Sequence, residues 1–266
     1  MDVHPPRLSL FQAAWGKKIR RSTPPPSRIS ASFKSLLLTI RLGMTRRNAL
    51  FAHEQYRSLY KLLIQECYRW KDIEVFDCAS LVVEYMQETP LSLPLLQSAS
   101  FGTSRTPIVH PRLDVIFVQN APQLRSLSLT SMKLPEGGLP YYHLTHFTAS
   151  NLFRSDLLDI LRRAPNLRSC VLVETGGSLT NTVNPPLPKV VLKHLEFLTA
   201  RNCPGLEELF EGIASVPALR DFRCTAGTAQ HPSLGSIKNL LHRSQCKLET
   251  LQIGTVCVCN EGLLRS

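Results

Sequence analysis

Two close pairs of side chains could bind a metal ion, His143 with His146 and Cys257 with Cys259. Imidazole nitrogens and thiolates are the usual ligands of protein zinc sites, which use three or four of them. The segment around the two histidines is typical of a β-strand, where residues three apart point to opposite faces and cannot share an ion. The two cysteines would share a strand face, but no further ligands lie at a suitable spacing. The sequence therefore predicts neither a metal site nor a cofactor.

Motifs that carry catalysis are absent from the chain. It contains no Gly-rich phosphate loop, no nucleophile elbow, no His-Glu-x-x-His and no Cys-x-x-Cys. Each of these motifs holds a phosphate, a nucleophile or a metal at a fixed spacing. Because no residue is marked as acid, base or nucleophile, we expect a protein that is not an enzyme and that acts by binding.

The best candidates for binding lie on one face of a series of predicted strands. In each strand the apolar residues follow a Leu-x-x-Leu-x-Leu frame. Its first, fourth and sixth positions face the core, so its third and fifth positions face the opposite side. That side is mostly small and polar, but one strand presents an aromatic residue near arginines, the usual anchors of protein interfaces. The alternative is that these are ordinary solvated strand residues. The predicted partner-binding residues are His146, Thr148, Phe197, Thr199, Arg201, Asp221, Arg223, Thr250 and Gln252.

The frame that positions these residues recurs along the chain. Residues 121–129, Ala-Pro-Gln-Leu-Arg-Ser-Leu-Ser-Leu, return as residues 164–172, Ala-Pro-Asn-Leu-Arg-Ser-Cys-Val-Leu. Intervals of 20 to 29 residues between copies match leucine-rich repeats. In one copy Cys203 occupies the Asn/Cys place, where it can bond the turning backbone. The eight frames begin at Ile73, Leu96, Leu124, Leu144, Leu167, Leu195, Leu219 and Leu248.

Between the frames, apolar residues at helical spacing predict short helices. Residues 155–163 begin with a potential N-cap, Ser155, and end before a proline. Residues 204–213 and 233–243 show the same pattern, whereas residues 175–189 read as a loop. The predicted fold is therefore α/β, an irregular leucine-rich-repeat solenoid with a parallel sheet on the concave side and short helices on the convex side.

Charge and composition predict three regions. The net charge of the chain is +11, of which residues 1–50 carry +9. Residues 1–49 are expected to be a basic, disordered arm, residues 50–68 an N-terminal helix that caps the fold, and residues 69–266 the solenoid without a C-terminal cap. In its first strand, Trp70 and Phe76 are expected to cover the open end of the core, with Val75 facing outward.

The basic arm has three interpretations that the sequence leaves open. It is a disordered tail or ill-defined terminus, a nuclear-import or polyanion-binding patch, or a mitochondrial presequence. The apolar run of residues 36–42 is too short to span a bilayer, so we expect no membrane partner. Residues 51–266 carry only +2, so nucleic acid is not an expected partner of the folded part.

Cysteine usage points to a reducing compartment. The eight cysteines are spread over about 190 residues, and most occupy apolar positions of the frames or helix faces. Reduced, buried cysteine behaves as a small hydrophobic residue, whereas disulfides belong to secreted proteins. We therefore expect a cytoplasmic or nuclear protein.

Four segments together resemble the leucine-rich-repeat part of fungal F-box proteins, over about residues 55–260. The resemblance implies a substrate receptor of a cullin-RING ubiquitin ligase, whose repeats hold a target while an F-box docks the ligase adaptor. Residues 1–50 contain no Leu-Pro-x-Glu-led F-box helix, so only the repeats carry the resemblance. The segments are Leu63-Ile-Gln-Glu-Cys-Tyr-Arg-Trp-Lys-Asp-Ile-Glu74, Leu144-Thr-His-Phe147, Asp159-Ile-Leu-Arg-Arg-Ala-Pro-Asn-Leu167 and Leu240-Leu-His-Arg-Ser-Gln-Cys-Lys-Leu-Glu-Thr-Leu251.

The function that follows is protein–protein interaction, as the target-recognition part of an F-box-like substrate receptor. Its expected partners are a target protein and a cullin-RING ligase adaptor. Two alternatives remain: nucleic-acid or polyanion binding through the arm, and a generic leucine-rich-repeat scaffold without ligase docking.

Overall fold

A nine-stranded parallel β-sheet is the main element of the chain, and the fold is α/β. The computed structural model describes residues 37–43, 60–76, 91–102, 120–131, 141–175, 188–226 and 234–255. In this sheet each strand pairs with the one before it, in chain order, and within the described residues the sheet does not close. Its strands are β1 (Leu38–Gly43), β2 (Trp70–Phe76), β3 (Ser98–Gly102), β4 (Ser126–Thr130), β5 (His146–Ser150), β6 (Ser169–Val173), β8 (Phe197–Arg201), β10 (Asp221–Ala226) and β11 (Thr250–Thr255).

A tight turn introduces most of these strands. The N–H of Leu124, the first frame residue before β4, donates to the carbonyl of Ala121 at 3.1 Å, and Leu219 bonds Val216 in the same way. The residue after Ala121 or Val216 is a proline, whose fixed φ suits the second position of such a turn. Both turn-opening residues are fully buried. The repeated unit thus starts three residues before the Leu-x-x-Leu-x-Leu frame.

The core-facing positions of neighbouring strands pack large side chains against small ones. β5 places Phe147 and Ala149 toward the core, and β10 places Phe222 and Cys224 there, all of them buried. Adjacent strands are in register, so these residues form continuous rows across the sheet. Alternation of size along a row lets side chains interdigitate at the density of protein interiors. The irregular Phe, Ala and Cys substitutions in the frames are therefore part of the packing.

The first predicted frame was wrong by three residues. In register, Asp72 of β2 pairs with Ser98 of β3, so the frame begins at Trp70 and not at Ile73. Val75, expected outward, is buried, and Phe76, expected at the core, is 43% exposed. Because strand side chains alternate, a frame moved by an odd number of residues exchanges the two faces. Trp70 is buried in the core, but β1 lies beyond β2, so this strand does not close the open end as predicted.

The predicted N-terminal arm was wrong for residues 38–43. They form β1, which pairs in parallel with β2 and adds Ile40 to the core. The alternation of Leu38, Ile40 and Leu42 is a strand pattern, but a basic and serine-rich surrounding obscured it. Arg41 bonds Glu74 of β2 at 3.1 Å on the other face. The remainder of the arm, residues 1–36 and 44–49, lies outside the described residues.

The predicted N-terminal helix over residues 50–68 is helical at residues 60–65 and continues as a 3-10 turn over Cys67–Arg69. Its first part, residues 50–59, is outside the described residues. Tyr60 is buried in the core, and Leu63 and Ile64 pack against it. This segment therefore adds apolar surface to the core just before β2 begins.

A second layer of short elements covers the other side of the core. It contains the helices α1 (Arg154–Arg163), α2 (Leu206–Gly212) and α3 (Leu234–Ser244), and the two-stranded parallel sheet of β7 (Val190–Val191) and β9 (Ile213–Ser215). The three helices match the predicted ones to within two residues. Ile213, predicted to lie on a helix, belongs instead to β9, which the sequence did not indicate. Among the described residues, no helix is long and apolar enough to cross a bilayer.

Arg243 and Ser244 join α3 to the rest of this layer. The Arg243 guanidinium donates to the carbonyls of Phe210, Ile213 at 2.8 Å and Ala214 at 3.0 Å. These carbonyls lie where α2 ends and β9 begins, and the last carbonyls of a helix have no acceptor role within the helix itself. The Ser244 hydroxyl accepts a bond from the Val216 N–H at 3.0 Å. Two adjacent side chains therefore hold α3 beside the turn that leads into β10.

Candidate functional site

The outer face of the nine-stranded sheet, meaning the face away from the core, carries all nine predicted binding residues. Because β2 to β11 are in register, the outward side chains form three rows across the sheet. The first row holds Asp72, Ser98, Ser126, His146, Ser169, Phe197, Asp221 and Thr250. The second holds Glu74, Ser100, Ser128, Thr148, Val171, Thr199, Arg223 and Gln252. The third holds Phe76, Gly102, Thr130, Ser150, Val173, Arg201, Thr225 and Gly254.

In the middle of the outer face the side chains are short and most carry a hydroxyl group. β3 and β4 contribute serines to both of the first two rows, and β5 continues the second row with Thr148. Small side chains leave the backbone of the sheet close to the surface. This floor lies between Phe76 on β2 and Phe197 on β8, five strand spacings of about 4.8 Å apart, or roughly 24 Å. The two aromatic residues thus border an extended polar floor.

An apolar and cationic cluster occupies the β6–β10 end of this face. Phe197 is 47% exposed, and the next strand, β6, places Val171 and Val173 on the same face. Arg201 is exposed on β8, two strand positions beyond Thr199. Phe197, Thr199 and Arg201 were predicted from the sequence, whereas Val173, which pairs with Arg201 in register, was not. Phe197, Val171, Val173, Thr199, Arg201, Asp221 and Arg223 are called the Phe197 patch.

Arg223 in this patch is held rigidly by Asp221. Its Nε donates to Oδ1 of Asp221 at 2.9 Å, and its Nη2 donates to Oδ2 at 2.8 Å. These hydrogen bonds, and then the negative charge of Asp221, raise the pKa of Arg223, which stays charged at every physiological pH. A two-point bond between residues on one strand orders a long side chain before any partner arrives, which lowers the entropy cost of binding.

His146 is exposed in the first row and is held by its neighbour on the chain. The Thr145 hydroxyl lies 2.9 Å from Nδ1 of His146 and 3.2 Å from the Arg125 carbonyl. The predicted strand residue His143 lies instead in the 3-10 turn of Tyr141–His143. The two histidines are thus on different elements.

The β1–β2 end of the outer face is acidic. Its outward residues were not predicted from the sequence. Asp72 accepts a bond from the Thr39 hydroxyl at 3.0 Å, and Glu74 pairs with Arg41. Phe76 lies across Gly102 of β3, where a Cβ would come within 2.8 Å of the ring. A glycine at this place lets the ring rest on the sheet. The three-residue error in the first frame is what concealed these residues.

A column of left-handed residues ends four neighbouring strands. Ser131, Asn151, Glu174 and Asn202 have φ between 50° and 55°, a region that Asn tolerates better than most residues. Each donates its N–H to a carbonyl at or next to the end of the neighbouring strand, as Asn202 does to Thr225 at 2.7 Å. Cys203 bonds the Arg201 carbonyl at 3.3 Å, which confirms its predicted contact with the turning backbone. The recurring position, however, is one residue earlier.

The buried thiols lie on the core side of the sheet. Burial raises the pKa of Cys170 to about 12 and that of Cys224 to about 11, so both stay protonated and unreactive at neutral pH. Among the described residues, no group of three His, Cys, Asp or Glu side chains is placed to hold a metal ion. Cys257 and Cys259 lie outside these residues. The chemistry available on the outer face is therefore hydrogen bonding, charge and apolar contact.

Comparison of the chain with protein-family models, curated proteins and solved structures gives no significant match. The geometry of the outer face and the sequence patterns therefore carry the functional argument.

Proposed function

We propose that the outer face of the sheet binds a protein target and that the Phe197 patch anchors it. The observation that carries this proposal is the 47% exposure of Phe197 in a row whose neighbours are mostly small or polar. Phe197 lies on a paired strand, so its backbone is already ordered before a partner covers the ring. Aromatic and arginine residues supply most of the energy of protein interfaces, and here both types stand together.

We further propose that the fold is an irregular leucine-rich-repeat solenoid with this outer face as its concave side. Strands in chain order, a shared register and a repeated turn before each frame support it. The column of left-handed residues at the strand ends adds a second repeated feature. Solenoids of this kind use the strand-lined face to bind extended surfaces.

Within this proposal the chain is the target-recognition part of an F-box-like substrate receptor of a cullin-RING ligase. The four sequence segments that resemble fungal F-box proteins support this role. The cullin-RING ligase adaptor is accordingly a proposed second partner. A scaffold without ligase docking would use the same outer face, so the two roles differ in the adaptor alone.

Affinity purification from cells that express the protein tests both levels. The full-length chain, a Phe197→Ala/Arg223→Ala double variant and a Ser126→Ala control on the same face would be compared by quantitative mass spectrometry. We expect the double variant to weaken target binding by about 1 to 2 kcal/mol or more, while the control retains the target. Cullin and adaptor should be recovered with all three proteins, because the proposed docking does not use this face.

Several results would contradict parts of the proposal. Target recovery that is unchanged in the double variant would remove the Phe197 patch from the interface. Recovery of a target without cullin or adaptor would contradict ligase docking and support the scaffold role. Nucleic acid as the bound partner, released by added salt, would favour the polyanion-binding alternative.

A further inference from the structure

We infer that the Phe197 patch recognises an extended peptide segment that carries an apolar side chain and, a few residues along, a carboxylate. This inference rests on the proposed function and adds the chemistry of the partner. Its basis is an apolar cluster beside a cation that has no ion pair among the described residues.

The apolar half of the site spans two strands. Phe197 stands in the first row of β8, while Val171 and Val173 stand in the second and third rows of β6. No other described strand places two aliphatic residues on the outer face. The three side chains therefore form a diagonal apolar strip at this end of the face, next to polar and charged residues of β8 and β10. Only an apolar partner group gains from covering such a strip.

The cationic half of the site is Arg201. Arg223 is already paired with Asp221, and the exposed Arg168 and Arg220 lie near Glu196 and Glu249, at 3.8 and 3.9 Å. Arg201 makes no ion pair within the part of the chain that the structure describes. Glu174 follows Val173 at the end of β6, and its carboxylate accepts a hydrogen bond from the amide of Asn202 at 3.5 Å. Arg201 is thus the cation available to an incoming anion.

The spacing of the two halves sets the length of the segment. Phe197 and Arg201 are four residues apart on one strand, which corresponds to about 13 Å. A partner lying along β8 in an extended conformation would cover that distance with about four residues. Its apolar side chain would meet Phe197, and its carboxylate would meet Arg201. Thr199 between them, with a half-buried hydroxyl, serves as a hydrogen-bond donor or acceptor for the segment.

A carboxylate fits this site better than a polyanion. Nucleic acid is held by many cations acting together, each of which neutralises one phosphate. The Phe197 patch has two arginines, and Asp221 already neutralises one of them. One free cation beside an apolar strip matches one acidic side chain beside one apolar side chain. Charge complementarity of this kind selects partners more than it adds affinity.

Selection from a random 12-residue peptide library against the full-length chain tests the inference. The wild type should enrich peptides with an aromatic or aliphatic residue and an Asp or Glu about four positions away. Binding of those peptides should weaken at least about tenfold in Arg201→Glu, and selection on that variant should favour Lys or Arg in place of the acid. Arg125→Glu makes the same charge change at an exposed site outside the patch and should alter binding less than about twofold.

The outcomes separate the inference from the proposed function. Enriched peptides that need Phe197 for binding but contain no acidic residue would overturn the inference. So would peptides that bind the Arg201→Glu variant as well as the wild type. The proposed function would stand in both cases. Failure of any peptide to be enriched would overturn the inference, whereas target recovery that does not depend on Phe197 in the affinity purification would overturn the proposed function. A wild-type homodimer that Phe197→Ala converts to a monomer would also overturn the inference, because a second copy would then cover the patch.

Discussion

β10 and β11 are adjacent, in register and built on the same frame, yet the core-facing residues of β10 are buried and those of β11 are exposed. Phe222 and Cys224 of β10 are 1% and 2% exposed, whereas Leu251 and Ile253 of β11 are 51% and 42% exposed. The exposures differ because the two strands are not covered by the same elements. β8 and α2 close over β10, while β11 is the last strand that the structure describes. An apolar residue at the right position of the frame therefore becomes core only when another element covers it.

Phe222→Ala should give the largest loss of stability. Phe222 is fully buried and packs edge-to-face on Phe210 of α2, with ring centroids 5.9 Å apart. Removing the ring leaves a cavity, so we expect the free energy of unfolding to fall by about 3 to 5 kcal/mol. Chemical denaturation of the full chain measures this. A loss below about 1.5 kcal/mol would show that β10 is covered no better than β11.

Arg243→Ala should have the next largest effect, because Arg243 holds α3 over the end of α2. The variant leaves the carbonyls of Phe210, Ile213 and Ala214 without this donor, and we expect a loss of about 1 to 3 kcal/mol. Arg220→Ala is a matched control, since its ion pair with Glu249 is exposed and 3.9 Å long, worth about 0.5 kcal/mol or less. Equal losses in both variants would contradict the role of Arg243.

Alkaline pH should destabilise the chain through its buried thiols. Burial raises the pKa of Cys170 from 9.0 to about 12. The unfolded chain therefore releases this proton first, and stability that is complete below pH 9 is lost as pH rises towards 12. In Cys170→Ala the slope of unfolding free energy against pH in this range should be smaller by about one proton. Denaturation series at several pH values, with the less buried Cys246→Ala as control, measure the difference. Identical slopes for wild type and Cys170→Ala would contradict the burial.

Leu251→Ala should cost little, although it occupies the frame position of Phe222. Half of its surface already meets water, so we expect a loss of about 1 kcal/mol or less. Leu198→Ala, at the same frame position of β8 but buried, should cost about 2 to 5 kcal/mol. A loss at Leu251 equal to that at Leu198 would mean that another part of the chain covers β11 in solution.

Phe197→Ala should change stability least, by about 0.5 kcal/mol or less, because the ring is exposed on the outer face. Leu195→Ala, two residues away and buried, should cost about 2 to 5 kcal/mol. Thermal and chemical denaturation of the two variants compare them directly. If Phe197→Ala behaved like a core substitution, the assignment of the two faces of β8 would be reversed.

The sequence by itself determined which residues of β3, β4, β5, β6, β8 and β10 face the core and which face outward. Strand side chains alternate with a period of two, so a repeated apolar frame assigns both faces from local geometry alone. All nine predicted binding residues consequently lie on the outer face. The three helices of the second layer followed from a periodic apolar pattern in the same way.

The tertiary structure alone decided which elements pair with each frame and pack against it. In the structure the first frame begins at Trp70 and not at Ile73. The local pattern of apolar residues fits either start, and the register with β3 decides between them. The tertiary structure brought β1 into the sheet and formed β9 from residues that also suit a helix, because in short segments tertiary pairing overrides intrinsic preference. It left Leu251 and Ile253 in contact with water. Burial and pairing depend on residues distant in the chain, and no local period encodes them.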